Sequence, residues 1–318
     1  MHIRLVFILF ILAACIISPQ TVPAAEAEKA PQTQSARSKN IFGPPVNVNI
    51  SGPGTVPEGV LYTAINASFA DKVRNTRNAR GDRGRPSDTF QQLWLLKLRY
   101  GITDYLEIVS VTPYVNQRIT NPEPKRYSTI YGLMDSTLYF ALAPWQERRG
   151  DPFTASISAG VWLPVGAWGR DNPPGYGVAG FRGQAAVGKW LNKDIKIETE
   201  GVWSSTRFAS GNQDVRLGDQ FQWNSQIRYL FNYFDIGLES TLIWQLNSHR
   251  ERTTSRYASG DMRNSSTEWF VGPSVNVAIE PLDMWVGLGA FFAAMQRFQG
   301  VQRKVENVRF EFKIGKLW

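Results

Sequence analysis

Between residues 221 and 231 the chain reads FQWNSQIRYLF. Phe221, Trp223, Ile227, Tyr229 and Phe231 share one parity, and Gln222, Asn224, Gln226 and Arg228 share the other. The next apolar stretch repeats the pattern, with Ile236, Leu238, Leu242, Trp244 and Leu246 set against Asp235, Glu239, Thr241 and Gln245. Twelve segments of this kind occur, at about 59–70, 90–100, 104–116, 131–143, 152–163, 178–190, 194–206, 218–231, 234–247, 266–279, 283–294 and 305–318. A period of two is the signature of a strand with unlike faces, and no run fits the helical period of 3.6. The segments run about 11–14 residues, where strands of globular proteins average about 5–6. Strands that long cross a bilayer at a tilt.

The connections alternate as well. Long loops at 71–89, 117–130, 164–177, 207–217, 248–265 and 295–304 are separated by turns at 101–103, 144–150, 191–193, 232–233 and 280–282. Short turns on one side and long loops on the other are the habit of outer-membrane barrels. An even strand count places both chain ends on the side of the turns. In hydrocarbon every backbone N–H and C=O must be paired within the protein, so strands span only as a closed cylinder with no free edge. The pattern therefore predicts an all-β fold, a transmembrane antiparallel up-and-down β-barrel of about 12 strands. Its apolar face looks out to lipid and its polar face looks into a lumen.

The N-terminal residues follow another rule. Arg4 is followed by an apolar run from Leu5 to Ile17 and then by small residues at Ala24 and Ala25, the layout of a cleaved secretory signal. Residues 1–25 are expected to leave, with lipidation at Cys15 of the LAAC stretch as the alternative. Cys15 is the sole cysteine, so a chain cut near Ala24 or Ala25 holds no disulfide. Residues 26–58, rich in Ala, Pro, Ser and Gly, read as a flexible periplasmic leader, leaving 59–318 as the barrel.

Composition agrees, with 11 Trp, 11 Tyr and 18 Phe. Trp94, Tyr105, Trp145, Trp190, Tyr229, Trp269 and Trp285 fall near segment ends, where interface girdles need them. On the polar parity, Lys97, Arg99, Glu107, Asp135, Arg182, Gln184, Lys196, Glu198, Glu200, Asn224, Gln226, Arg228, Asp235 and Glu239 are expected to face the lumen. These groups either pair with one another and plug a narrow barrel or line a pathway. Twelve strands lie between the filled and the open cases.

The net charge of +8, less one when Arg4 leaves, does not point to nucleic acid. Its basic residues gather in the first long loop (Lys72, Arg74, Arg77, Arg80, Arg83, Arg85) and the fifth (Arg250, Arg252, Arg256, Arg263). On an outer-membrane barrel such loops meet lipopolysaccharide phosphates, or draw anionic solutes to the mouth. Catalytic chemistry is thinly represented. His2 belongs to the signal, and His249 sits in NSHRERT, where Glu251 stands in place of the serine of outer-membrane phospholipases. Zinc-ligand spacing is missing, and GDRGRP lacks the lysine and the strand-to-helix context of a phosphate loop. No catalytic, metal or cofactor residue is expected.

LRYGITDYLEIVSVTPYV (residues 98–115), with its basic-aromatic strand end, Gly-Ile-Thr-Asp turn and following Leu-Glu strand, resembles the outer-membrane family of the meta-pathway of phenol degradation. GLMDSTLYFAL (132–142) and VWLPVG (161–166) resemble that family's Gly-x-x-Asp strand start and Pro-x-Gly strand end. The resemblance implies a barrel in the bacterial outer membrane that passes small hydrophobic or aromatic compounds passively, without a cofactor. Two alternatives stay open, an outer-membrane hydrolase using loop carboxylates and a plugged structural or adhesive barrel. The closing VRFEFKIGKLW places Phe310, Phe312, Ile314 and Trp318 with Gly315 in a pattern similar to the signal read by barrel-assembly machinery. Lys316 departs from it, standing where an apolar residue is expected. A monomer is expected.

Overall fold

The computed structural model describes residues 50–76, 87–122, 125–166, 174–175, 177–209, 215–250, 260–261, 265–299 and 302–318. Its strands are β1 (Leu61–Thr76), β2 (Ser87–Gly101), β3 (Leu106–Pro122), β4 (Lys125–Leu133), β5 (Ser136–Trp145), β6 (Thr154–Leu163), β7 (Val178–Trp190) and β8 (Ile195–Ala209). There follow β9 (Val215–Arg216), β10 (Gln220–Leu230), β11 (Phe234–Gln245), β12 (His249–Arg250), β13 (Gly260–Asp261), β14 (Ser266–Ile279), β15 (Met284–Phe298) and β16 (Gln302–Leu317). All pairing between them is antiparallel, and β16 returns to β1 in a ladder from Tyr62↔Leu317 to Thr76↔Gln302. The result is a closed up-and-down barrel of twelve strand positions, one of which β4 and β5 occupy together. The two-residue β9, β12 and β13 form a small separate sheet among the long loops.

The alternation sets the faces. Ile157, Leu238, Leu288 and Phe310 are each at least half exposed, whereas Asn224, Glu239 and Thr241 on the other parity are fully buried. A soluble sheet has the reverse arrangement. Twelve residues at about 3.3 Å each, tilted by about 40°, rise roughly 30 Å, the thickness of a bilayer core. Tyr105, Trp145, Tyr229 and Trp269 stand on the outer surface as expected, and Trp94 packs edge-on against Phe69 at 5.8 Å. Trp285 and Trp190 do not join them. Trp285 points inward, buried beside Tyr62 at 6.5 Å, and Trp190 shares the inward parity with Lys196, whose Nζ lies 5.8 Å from its ring.

Several strands run further toward the long loops than the sequence pattern predicts, and the expected loop 117–130 is mostly strand, with β3 reaching Pro122 and β4 starting at Lys125. β1 and β2 reach further than 70 and 90, so Lys72 is a strand residue facing Glu306 rather than part of a loop. Arg77, Arg80, Arg83 and Arg85 lie outside the described residues, as do Arg252, Arg256 and Arg263. The expected strand 131–143 is in fact two. β3 pairs with β5 over Leu106–Val111 and with β4 over Tyr114–Pro122. Near the end of β4 Gly132, opposite Val115, takes φ 138°, a conformation closed to most L-residues, and Pro113 of β3 has no N–H to offer a ladder at the break. Met134 bonds through its N–H to the Pro113 carbonyl at 2.9 Å, and the strand resumes at Ser136.

Candidate functional site

The inward faces of the strands build a lumen whose short-turn end is closed by residues 50–58. This segment belongs to the stretch expected as a free leader, but it runs inside the wall. The Ser51 and Gly52 N–H groups both donate to Glu200, at 3.0 Å each to the nearer oxygen. Lys97 Nζ donates to Ser51 Oγ at 3.1 Å, Arg99 to the Gly54 carbonyl, and the Val56 N–H to Glu107 Oε2 at 2.9 Å. Near the rim Thr55 Oγ1 donates to the Asp104 carbonyl and accepts from Gln146 Nε2 at 2.9 Å. Arg148, in the turn after β5, donates to the same Asp104 carbonyl at 2.9 Å. Burial there pushes its guanidinium below its ordinary pKa, and Asp104 and Glu107 pull it back. Backbone donors of the 50–58 segment thus find carboxylate acceptors on the wall, as burial of such groups requires.

Of the fourteen sequence-predicted lumen residues all but Asp135 lie on the inward parity of their strands, and most join one polar belt at this end. Arg99 forks onto Glu107 at 2.8–3.1 Å. Arg228 pairs with Asp235 and stands 3.9 Å from Glu239, which accepts from Ser274 Oγ at 2.5 Å. Glu198 receives Gln226 and, at 2.5 Å, Lys196. Glu200 receives Gln184 at 2.9 Å and Asn224 at 2.7 Å, and Gln184 in turn accepts from Arg182 at 2.9 Å. Asp135 departs from the belt. It sits at the β4–β5 break and accepts the Gly166 N–H at 3.2 Å, holding the segment after β6 against the break. Cations Lys97, Arg99, Arg182, Lys196, Arg228 and Lys313 share this end with carboxylates Glu107, Glu198, Glu200, Asp235 and Glu239. Paired this way, charges tolerate burial that isolated ones would not.

A second belt that the sequence reading did not anticipate lies toward the long loops. Lys72 meets Glu306 at 3.0 Å, and Arg309 meets Glu306 at 2.7 Å and Glu311 at 3.6 Å, its guanidinium 4.5 Å from the Phe270 ring centre. Also missed was an apolar inner wall. Leu93 and Leu95 pair with the buried Ser68 and Asn66 and so share their inward face, and Pro113 and Val115 continue it on β3. The signal was present in LWLLKL (93–98), where both parities are apolar, as in strands covered on both faces. This wall ends at β4, where Val115 pairs with Gly132.

There, among the described residues, the ladder has an edge: β4 pairs with β3 alone, and β6 accompanies β5 up to Ser136↔Leu163. Tyr131 and Leu133 flank the edge on the outer surface, both exposed. Of the assembly candidates, Phe310, Phe312 and Ile314 face outward, and Gly315 faces inward beside Tyr62. Trp318 donates from Nε1 to Thr63 Oγ1 at 2.9 Å. Lys316, the departure from pattern, lays its ammonium 4.0 Å over the Trp318 ring, so its stem covers apolar surface while its charge stays at the rim. His249 begins β12, and its side chain lies outside the described residues. No group of three or more potential metal ligands occurs among the described residues.

A closed antiparallel cylinder with an apolar exterior and an ion-paired interior is a β-barrel of the outer-membrane class. The chain belongs to the family described as "Putative MetA-pathway of phenol degradation", whose model matches residues 49–306. Among solved structures it is similar to an outer membrane channel from Pseudomonas putida F1, with TM-score 0.66 and 13% identity over 85% of this chain and 100% of that one. That likeness extends to the fold. The beta domain of the Bordetella autotransporter Brka follows at TM-score 0.48 and 11% identity, covering 82% of this chain and 100% of that one. A Pseudomonas aeruginosa FadL homologue stands at TM-score 0.42 and 6% identity, over 84% and 93%. No curated protein sequence matches the chain.

Proposed function

We propose that the protein is an outer-membrane channel for the passive uptake of small hydrophobic or aromatic compounds. The observation that carries this reading is the apolar inner wall of Leu93, Leu95, Pro113 and Val115. It leads from the lumen to the edge of β4 that has no partner strand among the described residues, beside the outward Tyr131 and Leu133. A solute entering from the long-loop end meets a floor made by residues 50–58 and, to one side, the edge of β4, which none of the described strands continues. Leaving sideways costs an apolar molecule no desolvation, whereas passing the ion-paired belt would strip charges of their partners. Chemistry in this scheme is limited to partition and diffusion, with neither a nucleophile nor a cofactor.

The closed floor also favours a second reading, a plugged barrel with a structural role. Uptake separates the two. Cells carrying the protein are expected to accumulate labelled toluene faster than cells lacking it, with the protein in the outer-membrane fraction. Equal accumulation would overturn the channel and leave the structural barrel.

A further inference from the structure

We infer that the inner wall around Gly160 is a subsite for the carboxylate of a small aromatic acid, an inference that rests on the channel reading and names one class of solute for it. On three adjacent strands Tyr139, Gly160 and Arg182 lie side by side, facing inward. Ser158 and Trp162 occupy the inward positions on either side of Gly160 along β6. A Cβ on Gly160 would stand 2.2 Å from the Cβ of Tyr139, so only glycine fits at the centre of this patch.

Three side chains of this patch each hold a buried donor without an acceptor. Arg182 gives Nη2 to Gln184 and stacks its guanidinium 4.8 Å from the Tyr139 ring centre, but its Nε–H reaches no acceptor of the protein. The same holds for Trp162 Nε1 and Ser158 Oγ. Buried donors left this way are costly, and one patch holding three of them is unusual. Arg182 also differs from the other lumen arginines. Arg99, Arg228 and Arg309 each have a carboxylate, and Arg182 has a neutral amide. A group of an arginine N–H, an indole N–H and a hydroxyl, carrying one positive charge and flanked by Tyr139 and Trp162, is complementary to an anionic oxygen pair on a ring. A hydrocarbon or a protonated amine would satisfy none of these donors. The patch lies one inward position nearer the long loops than Gln184, whose amide binds the Glu200 that holds Ser51 and Gly52. A solute descending the lumen meets it before the floor.

Isothermal titration of the full-length protein in detergent tests this with benzoate, using benzyl alcohol as the neutral match. Benzoate is expected to bind at least about tenfold more tightly than benzyl alcohol, and Arg182→Gln to remove most of that difference, because a charge-assisted hydrogen bond is lost. Trp162→Phe keeps the ring and volume and removes only the indole N–H, so it carries the test if Arg182→Gln fails to fold by gel migration; a severalfold loss is expected. Equal affinity for the two ligands, or benzoate binding unchanged in the folded variants, would overturn the subsite. Toluene uptake reports on the channel reading separately: a loss of benzoate preference with toluene uptake intact supports the subsite, and absent toluene uptake with benzoate binding intact would remove the channel alone.

Discussion

Glu107 illustrates how much one side chain can hold in this lumen. It is 2% exposed, accepts two hydrogen bonds from Arg99 and a third from the Val56 N–H of the closing segment. Removing it leaves a buried guanidinium without its anion and a backbone donor without its acceptor. Glu107→Ala is therefore expected to destabilise the folded barrel by about 3–5 kcal/mol, read from urea unfolding in lipid vesicles. The double change Arg99→Met with Glu107→Leu, which removes both charges together, should recover most of that loss. A single variant as stable as the wild type would show that water inside the lumen already serves Arg99. The presence of Glu107 inside was legible, because parity along a strand fixes the face and needs no knowledge of neighbours. Its partners were not, since Arg99 lies across a turn and Val56 lies 51 positions away. For the same reason Arg182 looked like any other lumen cation until its surroundings singled it out.

At the scale of the strand, the decisive property is that apolar side chains face outward. Leu238 lies near the middle of β11 and is 52% exposed, between Ile227 and Pro273 of the neighbouring strands. In a soluble protein, Leu238→Arg at such a position would change stability by about 0.5 kcal/mol or less. On the lipid face of a barrel near the midplane it is expected to cost about 2–4 kcal/mol. Folding into vesicles along a urea series measures the difference, and a cost near zero would argue against hydrocarbon at this surface. Alternation and length made nearly all strands legible, because both follow from spanning a bilayer with two unlike faces. The break at Met134 was not, for it depends on Gly132 together with Pro113 of a different strand, whose carbonyl takes the Met134 N–H, a coincidence invisible along 131–143. The apolar wall of β2 was overlooked for a related reason: a reading that assigns one parity to lipid treats apolar residues on the other as noise.

At the scale of the whole barrel, one end is crossed by the chain's own residues 50–58. The 50–58 segment was read as free because SGPGTVPEG is poor in apolar residues and rich in turn formers. That composition excludes a packed core but not a strap whose N–H groups are met by wall carboxylates 51–149 positions away. Such an anchoring is polar and finite, so removing the strap should leave the ladders intact, the twelve strand positions being joined by backbone hydrogen bonds that do not involve it. Deleting residues 50–57 leaves Glu200, Lys97, Arg99 and Glu107 facing a wider lumen in which water takes the place of Ser51, Gly54 and Val56. Single-channel recording in planar bilayers is expected to show larger and steadier conductance for this deletion than for the wild type, with unchanged heat-modifiable migration in gels. Toluene uptake should change little, since the proposed lateral route at β4 does not pass the floor. If conductance stayed the same, the floor would be closed by something other than the strap. If uptake rose in step with conductance, solutes would be crossing through the floor, and the edge of β4 would have no part in transport.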